Sequence, residues 1–235
     1  MGYVRWRRER YMLEQSKAAT LRTWLLVAAE AREFDGLRRR LGSSSLHLSL
    51  DFSCETRFKG DRWVMVANGA GREAAAVAAR IATRQLEFPW IGLQLAGIVS
   101  TGFCGALDPA LGVGDIVEDG LLCSDRVAVT ASEKAALRQK TGAAAVDMES
   151  SAVAEVARER GVPFRSIRAV SDIAKEDLPL DFNLYLDPQG HFSRGRIAMA
   201  AISKPFRVIP GLLRLDRNCR IAAESLGEFF VNSRL

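Results

Sequence analysis

The feature that most constrains the fold is a run of apolar residues at positions 24–29 that contains no polar residue. A strand inside a parallel sheet is covered on both faces and is apolar throughout, whereas a strand with one face in water alternates. The charged stretch at residues 30–40 follows and stops before Gly42, which is typical of a helix and its C-terminal end. The segment therefore predicts a buried strand, a turn and a helix.

This alternation of strands and helices recurs along the chain. It predicts an α/β fold: a single three-layer α/β/α domain at residues 23–235, with a central mixed, largely parallel sheet. Pro205 and Pro210 are expected to break the chain between the last two helices. Further strands are predicted at residues 47–52, 63–67, 95–101 and 164–170, and further helices at residues 73–80, 132–139, 150–160, 194–202 and 219–230.

The first 22 residues form a basic segment ahead of the predicted domain. They hold six Lys and Arg residues against two Glu residues, so they carry +4 of the net charge of +5. Because charge runs are commonly solvated tails, residues 1–22 are predicted to be a basic N-terminal extension. A functional arm is the alternative, and Met12 is an alternative start.

Several classes of protein are disfavoured by what the chain lacks. No run approaches the roughly 20 apolar residues of a membrane span, and no secretory signal is evident, so we expect a cytoplasmic protein without a transmembrane segment. The four cysteines are scattered and the two histidines, His47 and His191, lie far from them at no ligand spacing. This pattern favours reduced thiols and neither a metal site nor a Ser/His/Asp triad.

Candidate site residues follow several of the predicted strands. Ligands of open α/β sheets bind beyond the carboxyl ends of the strands. Glycine turns stand there at residues 68–72 and 101–105, and acidic residues stand at 30–33, 147–149 and 171–172. A glycine turn alone is weak evidence, and a carboxylate at a helix N-terminus can merely complement the helix dipole. Their recurrence after successive strands favours a binding site.

The motifs at these positions resemble one enzyme superfamily. The pair formed by VDMESSAVA at residues 146–154 and RAVSD at residues 168–172, with GVPF between them, is similar to the signature of the nucleoside phosphorylase and methylthioadenosine/S-adenosylhomocysteine nucleosidase superfamily. STGFCGAL at residues 100–107 and NGAGR at residues 68–72 resemble its glycine motifs. The residues DRV at 125–127 ahead of Glu133-Lys134 are most similar to the hopanoid-associated branch of that superfamily.

The resemblance implies cleavage of the N-glycosidic bond of a purine nucleoside, with adenine as the expected base. It gives Asp172 the role of protonating the departing base, which requires a protonated carboxyl. It gives Glu149 the role of binding the ribose, where a carboxylate stabilises developing positive charge. Met148 is expected against the sugar, although an ordinary core methionine is nearly as plausible. The other residues that the resemblance places in the substrate site are Ser171, Gly71, Gly102, Phe103, Gly105 and Val127.

The acceptor of the glycosyl group is left open between water and phosphate. Hydrolytic members of the family orient water with a glutamate after the first strand. An ungapped alignment makes this residue Glu33, which is the predicted one, and a shifted alignment makes it Glu30, the alternative. Phe103 replaces a small polar residue of the glycine motif and removes one contact to phosphate or ribose. Val127 replaces the aromatic residue that usually stacks on the purine. Neither metal nor other cofactor is implied.

One departure from the family pattern leaves a second function open. The segment at residues 117–123 is much shorter than in the family, so a noncatalytic nucleoside-binding protein is the alternative to an enzyme. A dinucleotide-binding domain ranks far behind, because Ala74 stands where the full G-x-G-x-x-G pattern needs glycine. We expect a homodimer, the commonest closed assembly, and no nucleic-acid partner.

Overall fold

A computed structural model of the chain describes residues 21–86, 93–187, 189–233 and 235. Residues 1–20, most of the predicted basic extension, lie outside the described residues. Nine strands in the described part form one mixed sheet. They are β1 (Leu21–Ala28), β2 (Ser44–Ser45), β3 (Phe52–Phe58), β4 (Asp61–Ala67), β5 (Leu93–Ala106), β6 (Ile116–Val117), β7 (Leu121–Cys123), β8 (Ala145–Asp147) and β9 (Phe164–Asp172).

Two helical layers cover the sheet. The helices are α1 (Asp35–Leu41), α2 (Arg72–Leu86), α3 (Ala131–Thr141), α4 (Ser150–Glu159), α5 (Arg194–Ser203) and α6 (Pro205–Asn232), with 3₁₀ turns at Ala31–Phe34 and Phe182–Tyr185. Strand β5 is at the centre, parallel to β1 on one side and to β9 on the other. The predicted three-layer α/β fold with a mixed, largely parallel sheet is confirmed.

The apolar run that predicted the first strand is buried on both faces of the sheet. Leu26 packs in a core with residues of α1 and α6 such as Leu226. Leu25, which points to the other face, packs in a second core with residues of α2 and α4 such as Ala78 and Val153. Successive strand side chains point to opposite faces. This geometry explains why the run contains no polar residue.

The strand predicted at residues 47–52 is wrong. Leu46, Leu48 and Leu50 do pack against the core, so the alternation is real. Their backbone forms no ladder, however, because the Ser53 hydroxyl accepts a hydrogen bond from the Leu48 N–H at 3.2 Å and the Leu50 N–H bonds to the Leu48 carbonyl. Serine side chains compete with sheet ladders in this way. The strand β3 begins only at Phe52 and forms a hairpin with β4.

The expected break at Pro210 is also wrong, since α6 runs without interruption from Pro205 through Pro210 to Asn232. Pro205 is at the first helical position, where its missing N–H is no loss. Pro210 lies one turn later and leaves the carbonyl of Phe206 without its helical partner. Phe206 is 97% exposed, so water can supply that hydrogen bond. No helix in the described part of the chain is long and apolar enough to cross a membrane.

Candidate active site

A cavity of about 600 Å³ lies where β1, β5 and β9 end. It collects eight of the ten residues that the sequence assigned to a site. They are Glu33, Phe103, Gly105, Val127, Met148, Glu149, Ser171 and Asp172. The other two, Gly71 and Gly102, lie directly behind the wall, where Gly71 contacts Glu149 and Gly102 contacts Glu33.

Glu33 is buried at the start of the helical turn after β1. Its Oε2 accepts hydrogen bonds from the N–H groups of Ala29 and Glu30, both at 2.8 Å. Its Oε1 accepts one from the Phe103 N–H at 2.7 Å. Burial raises the pKa of Glu33 to about 7, and the nearby Arg168 guanidinium opposes that rise. A carboxyl with such a pKa can change protonation near neutral pH, as a general base must.

The alternative glutamate, Glu30, is in a different environment. It also lines the cavity, but its carboxylate pairs with Arg32 and its side chain is 32% exposed. It has none of the three backbone hydrogen bonds that hold Glu33 in place. Of the two glutamates left open by the sequence, Glu33 is therefore the one that the fold fixes against β5.

Glu149 stands at the N-terminus of α4, held from two sides. Its Oε1 accepts a hydrogen bond from the Gly71 N–H at 2.8 Å. Its Oε2 lies 3.2 Å from a guanidinium nitrogen of Arg168, which is fully buried in β9. Burial raises the pKa of Glu149, with Arg168 acting against the rise. Arg168 is the first residue of the RAVSD motif, but the sequence alone gives no indication of its role.

Asp147 explains why a buried arginine is stable here. Its carboxylate lies 2.7 Å from Arg168 and accepts hydrogen bonds from the N–H and hydroxyl of Ser150. Asp147 therefore caps α4 and neutralises Arg168. Of the two acids in this motif, Asp147 is the one that stabilises the fold. Ser100 takes a further Arg168 N–H at 2.8 Å. Buried charges are tolerated when they are paired and hydrogen-bonded in this manner.

Asp172, at the end of β9, forms a second buried ion pair. Its Oδ2 lies 2.6 Å from the ammonium of Lys134, a side chain on α3 that is fully buried. Lys134 also donates to the carbonyls of Ile173 and Glu176, so all three of its N–H donors have acceptors. The Ser171 hydroxyl donates to Asp172 Oδ1 at 2.9 Å. The sequence predicts that Asp172 acts as an acid, and the structure places its carboxyl group against the Lys134 ammonium group.

Two glycines of the β5 motif are required by these carboxylates. Gly102 has a φ of +127°, and a Cβ on it would lie 2.4 Å from Glu33 Oε1. A Cβ on Gly105 would lie 3.0 Å from Asp172 Oδ2. Any side chain at Gly102 would displace Glu33, and one at Gly105 would press on Asp172. The glycine motif thus makes room for acids of the site as well as for a ligand.

The chain after β9 supplies a wall that the sequence did not predict. Val127 lines the cavity, and its backbone exchanges two hydrogen bonds with the side chain of Asn183. Phe182 and Phe192 line the cavity beside it, with ring centroids 5.9 Å apart in an edge-to-face arrangement. These rings provide aromatic surface that Val127 lacks. Their local sequence has no motif that could have identified them.

The short segment at residues 117–123 does not reach the cavity. It runs from the end of β6 through a three-residue turn into β7, and none of its residues is in the cavity wall. The neighbouring residues 126–128 are in the wall. Residues 126–128, and not the short segment, therefore form this side of the cavity wall. Within the described residues, no cluster of His, Cys, Asp or Glu could hold a metal ion.

Residues 121–204 match the model of the Phosphorylase superfamily. The methylthioadenosine/S-adenosylhomocysteine nucleosidase of Shewanella halifaxensis is 38% identical over 77 residues, which cover 32% of this chain and 34% of the relative. This chain thus spans about a third of the length of the curated relatives it matches.

Solved structures extend the likeness to the whole fold. A futalosine hydrolase mutant of Helicobacter pylori superposes with a TM-score of 0.63 at 12% identity, covering 89% of this chain and 97% of that one. The methylthioadenosine/S-adenosylhomocysteine nucleosidase of Neisseria meningitidis gives 0.57 at 21% identity, covering 88% and 100%. The resemblance to the phosphorylase superfamily is confirmed in sequence at residues 121–204, and the solved structures share the fold. Assignment to the hopanoid-associated branch stays a prediction.

Proposed function

We propose that this chain is a nucleosidase that hydrolyses the N-glycosidic bond of a purine nucleoside, with adenine as the base. The observation that carries the proposal is the convergence of Glu33, Glu149 and Asp172 on one cavity. The matched relatives in Shewanella are named 5'-methylthioadenosine/S-adenosylhomocysteine nucleosidases, which supports the same reaction class.

Asp172 and Lys134 act on the departing base. As the bond between the sugar and the base breaks, its electron pair moves to the purine, and Asp172 donates a proton to a ring nitrogen. Asp172 is left as a carboxylate, which the Lys134 ammonium at 2.6 Å stabilises. Stabilising the product form of an acid makes its proton easier to transfer. Lys134 is therefore a positioning residue that acts through Asp172.

Glu149 and Glu33 act on the sugar side. The Glu149 carboxylate accepts hydrogen bonds from the ribose hydroxyls and stabilises the positive charge that develops on the ring. Glu33 takes a proton from water, whose oxygen then bonds to the sugar carbon that has lost the base. Its pKa of about 7 suits that step near neutral pH. Water and nucleoside are thereby converted to free base and free sugar.

The hydrogen bond made by one backbone N–H group favours water over phosphate as the acceptor of the glycosyl group. The backbone N–H of Phe103, in the glycine motif, is already bonded to Glu33 Oε1 at 2.7 Å. It is not free to hold a phosphate oxygen, and the adjacent carboxyl would repel a phosphate whenever it is ionised. Arg168 is also turned away from an anion, since it is bound to Asp147 and Glu149.

The test is to incubate the purified chain with a panel of purine nucleosides, with and without phosphate, and to measure free base. We expect release without phosphate. In Asp172→Asn the amide can still bond the base but cannot transfer a proton, so kcat should fall about 10²–10⁴-fold while nucleoside affinity changes little. Release that requires phosphate would make the chain a phosphorylase. Binding without release under either condition would establish the noncatalytic alternative.

The homodimer and the cytoplasmic location stay predictions. Light scattering at micromolar concentration tests the first of them, and a monodisperse monomer would count against it.

A further inference from the structure

The helices that close the cavity at its C-terminal wall carry an unusual outer surface. Five of the eight large hydrophobic residues that are exposed in the described chain lie within residues 199–213. They are Met199 (72% exposed), Ile202 (75%), Phe206 (97%), Ile209 (41%) and Leu213 (66%). A soluble protein rarely exposes apolar side chains in such a cluster without a partner.

Their spacing places them on one side of each helix. Met199 and Ile202 are three residues apart on α5, and Phe206, Ile209 and Leu213 follow at intervals of three and four on α6. Residues at these intervals share a helix face. Only Ser203, Lys204 and Pro205, all exposed, separate the two stripes along the chain. We call residues 199–213 on α5 and α6 the junction surface.

The sequence that carries the junction surface has charged residues of a single sign. Between Asp187 and Asp216 the sequence holds five Lys and Arg residues and no acidic residue. Arg196 and Lys204 are exposed beside the apolar stripes. Arg214 is also exposed; it lies 3.5 Å from Glu176, which is on the chain between β9 and the 3₁₀ turn. Helices that lie in a membrane interface typically have an apolar face bordered by Lys and Arg residues.

We propose that the junction surface docks this protein on an anionic lipid membrane. The apolar side chains enter the region between headgroups and acyl chains, and the basic residues contact the anionic headgroups. A second copy of this chain fits the surface less well. In a two-fold interface the same patch meets itself, so basic residues would face basic residues.

The same helices also build the active-site wall, because Ile197 on α5 and Leu212 on α6 line the cavity. Docking through their outer faces would hold this wall of the site at the membrane interface. The inference is independent of the reaction that the site catalyses, since it depends only on the outer surface of α5 and α6.

The test is co-sedimentation of the full-length chain with vesicles. One set contains equal parts phosphatidylcholine and phosphatidylglycerol, and the other contains phosphatidylcholine alone. We expect binding to the anionic set, weak binding to the neutral set, and a loss of binding as salt screens the headgroups. Equal binding to both sets, or binding to neither, would overturn the proposal.

Substitutions locate the contact. The double variant Ile202→Ser, Phe206→Ser should bind anionic vesicles about tenfold less tightly or worse, because it removes apolar area from the inserted face. Lys204→Glu should lose about fivefold or more through its reversed charge. Val77→Ser, at an apolar position on α2 that is 38% exposed, is the matched control and should bind as wild type does. All four positions are at the surface, and an unchanged Tm verifies that each variant folds.

Two outcomes would overturn the assignment. If the double variant binds as tightly as wild type, the basic residues 1–22 or another part of the chain is responsible. If the double variant turns a dimer into a monomer in light scattering while vesicle binding is unchanged, the junction surface is a contact between copies of this chain.

Discussion

Two buried cations hold the acids of the site, and they do so differently. Arg168 bridges Asp147 and Glu149 on the sugar side of the proposed site, and both carboxylates are nearly inaccessible. Lys134 pairs with Asp172 on the base side, where the carboxylate is 15% exposed. An arginine keeps its proton at any working pH and offers a rigid fork, whereas a lysine is a point charge whose proton can move when it is buried. The protein thus pairs an arginine with the two acids of the proposed sugar side, and a lysine with the acid that we propose protonates the base.

Removing Arg168 should have the largest effect on the free energy of unfolding. Arg168→Met leaves the carboxylates of Asp147 and Glu149 buried without a cation, and we expect a loss of about 3–5 kcal/mol of unfolding free energy. Denaturant unfolding measures it. Arg168→Lys keeps the charge and loses the fork, so it should be the milder variant. Equal stability of Arg168→Met and wild type would show that these acids are not ionised in the folded protein.

Removing Lys134 should lower the free energy of unfolding by less than removing Arg168 does. A second substitution, at Asp172, should restore most of that loss. Lys134→Met leaves the Asp172 carboxylate beside an apolar side chain, at a cost of about 3 kcal/mol. Adding Asp172→Asn removes the unpaired charge, so the double variant should regain most of the stability of Asp172→Asn alone. The four unfolding free energies form a double-mutant cycle. Additive effects of the two substitutions would mean that the pair is not formed in solution.

The sugar side can be weakened without removing its arginine. Glu149→Gln keeps the shape and the acceptor for the Gly71 N–H but loses the negative charge beside the ribose. We expect kcat to fall on the order of a hundredfold, with weaker nucleoside binding as well. Steady-state kinetics and equilibrium binding separate the two effects. Met148→Leu, next to it in the wall, is the uncharged control; an equal loss there would indicate that packing and not charge is responsible.

The smallest expected effect is the contribution of Glu33 to the pH dependence of stability. Its folded pKa of about 7 lies above the usual value, so the folded state holds this proton more tightly than the unfolded state. Stability contributed by the protonated carboxyl is therefore full at low pH and is lost as pH rises towards about 7 and above.

Glu33→Gln cannot lose that proton. The difference in Tm between Glu33→Gln and wild type should become more favourable to the variant between about pH 5 and pH 8. Thermal unfolding at several pH values checks it, with Met148→Leu as the variant that changes no titratable group. A pH-independent difference would contradict the raised pKa.

Local sequence determined most of the architecture. The apolar run of β1 and the helices predicted at residues 73–80 and 150–160 appear where the pattern indicated, because burial on both faces and helix propensity are set by neighbouring residues. The acids of the site were found by the motifs that end β9 and begin α4. The ends of β1, β5 and β9 meet because these strands are parallel, whereas β8, which leads into α4, pairs with β5 in the antiparallel direction.

Tertiary structure decided what stabilises those acids. Lys134 and Asp172 are 38 positions apart in the sequence, and Gly71 and Glu149 are 78 positions apart. The residues next to each of them do not indicate which distant residue it contacts. The same holds for residues 47–52, whose alternating leucines predicted a strand although Ser53 takes the backbone hydrogen bond that a ladder needs. A periodic pattern reports which side of the chain is buried. It does not report which polar groups meet there, because that depends on the contacts that only the assembled sheet and helices create.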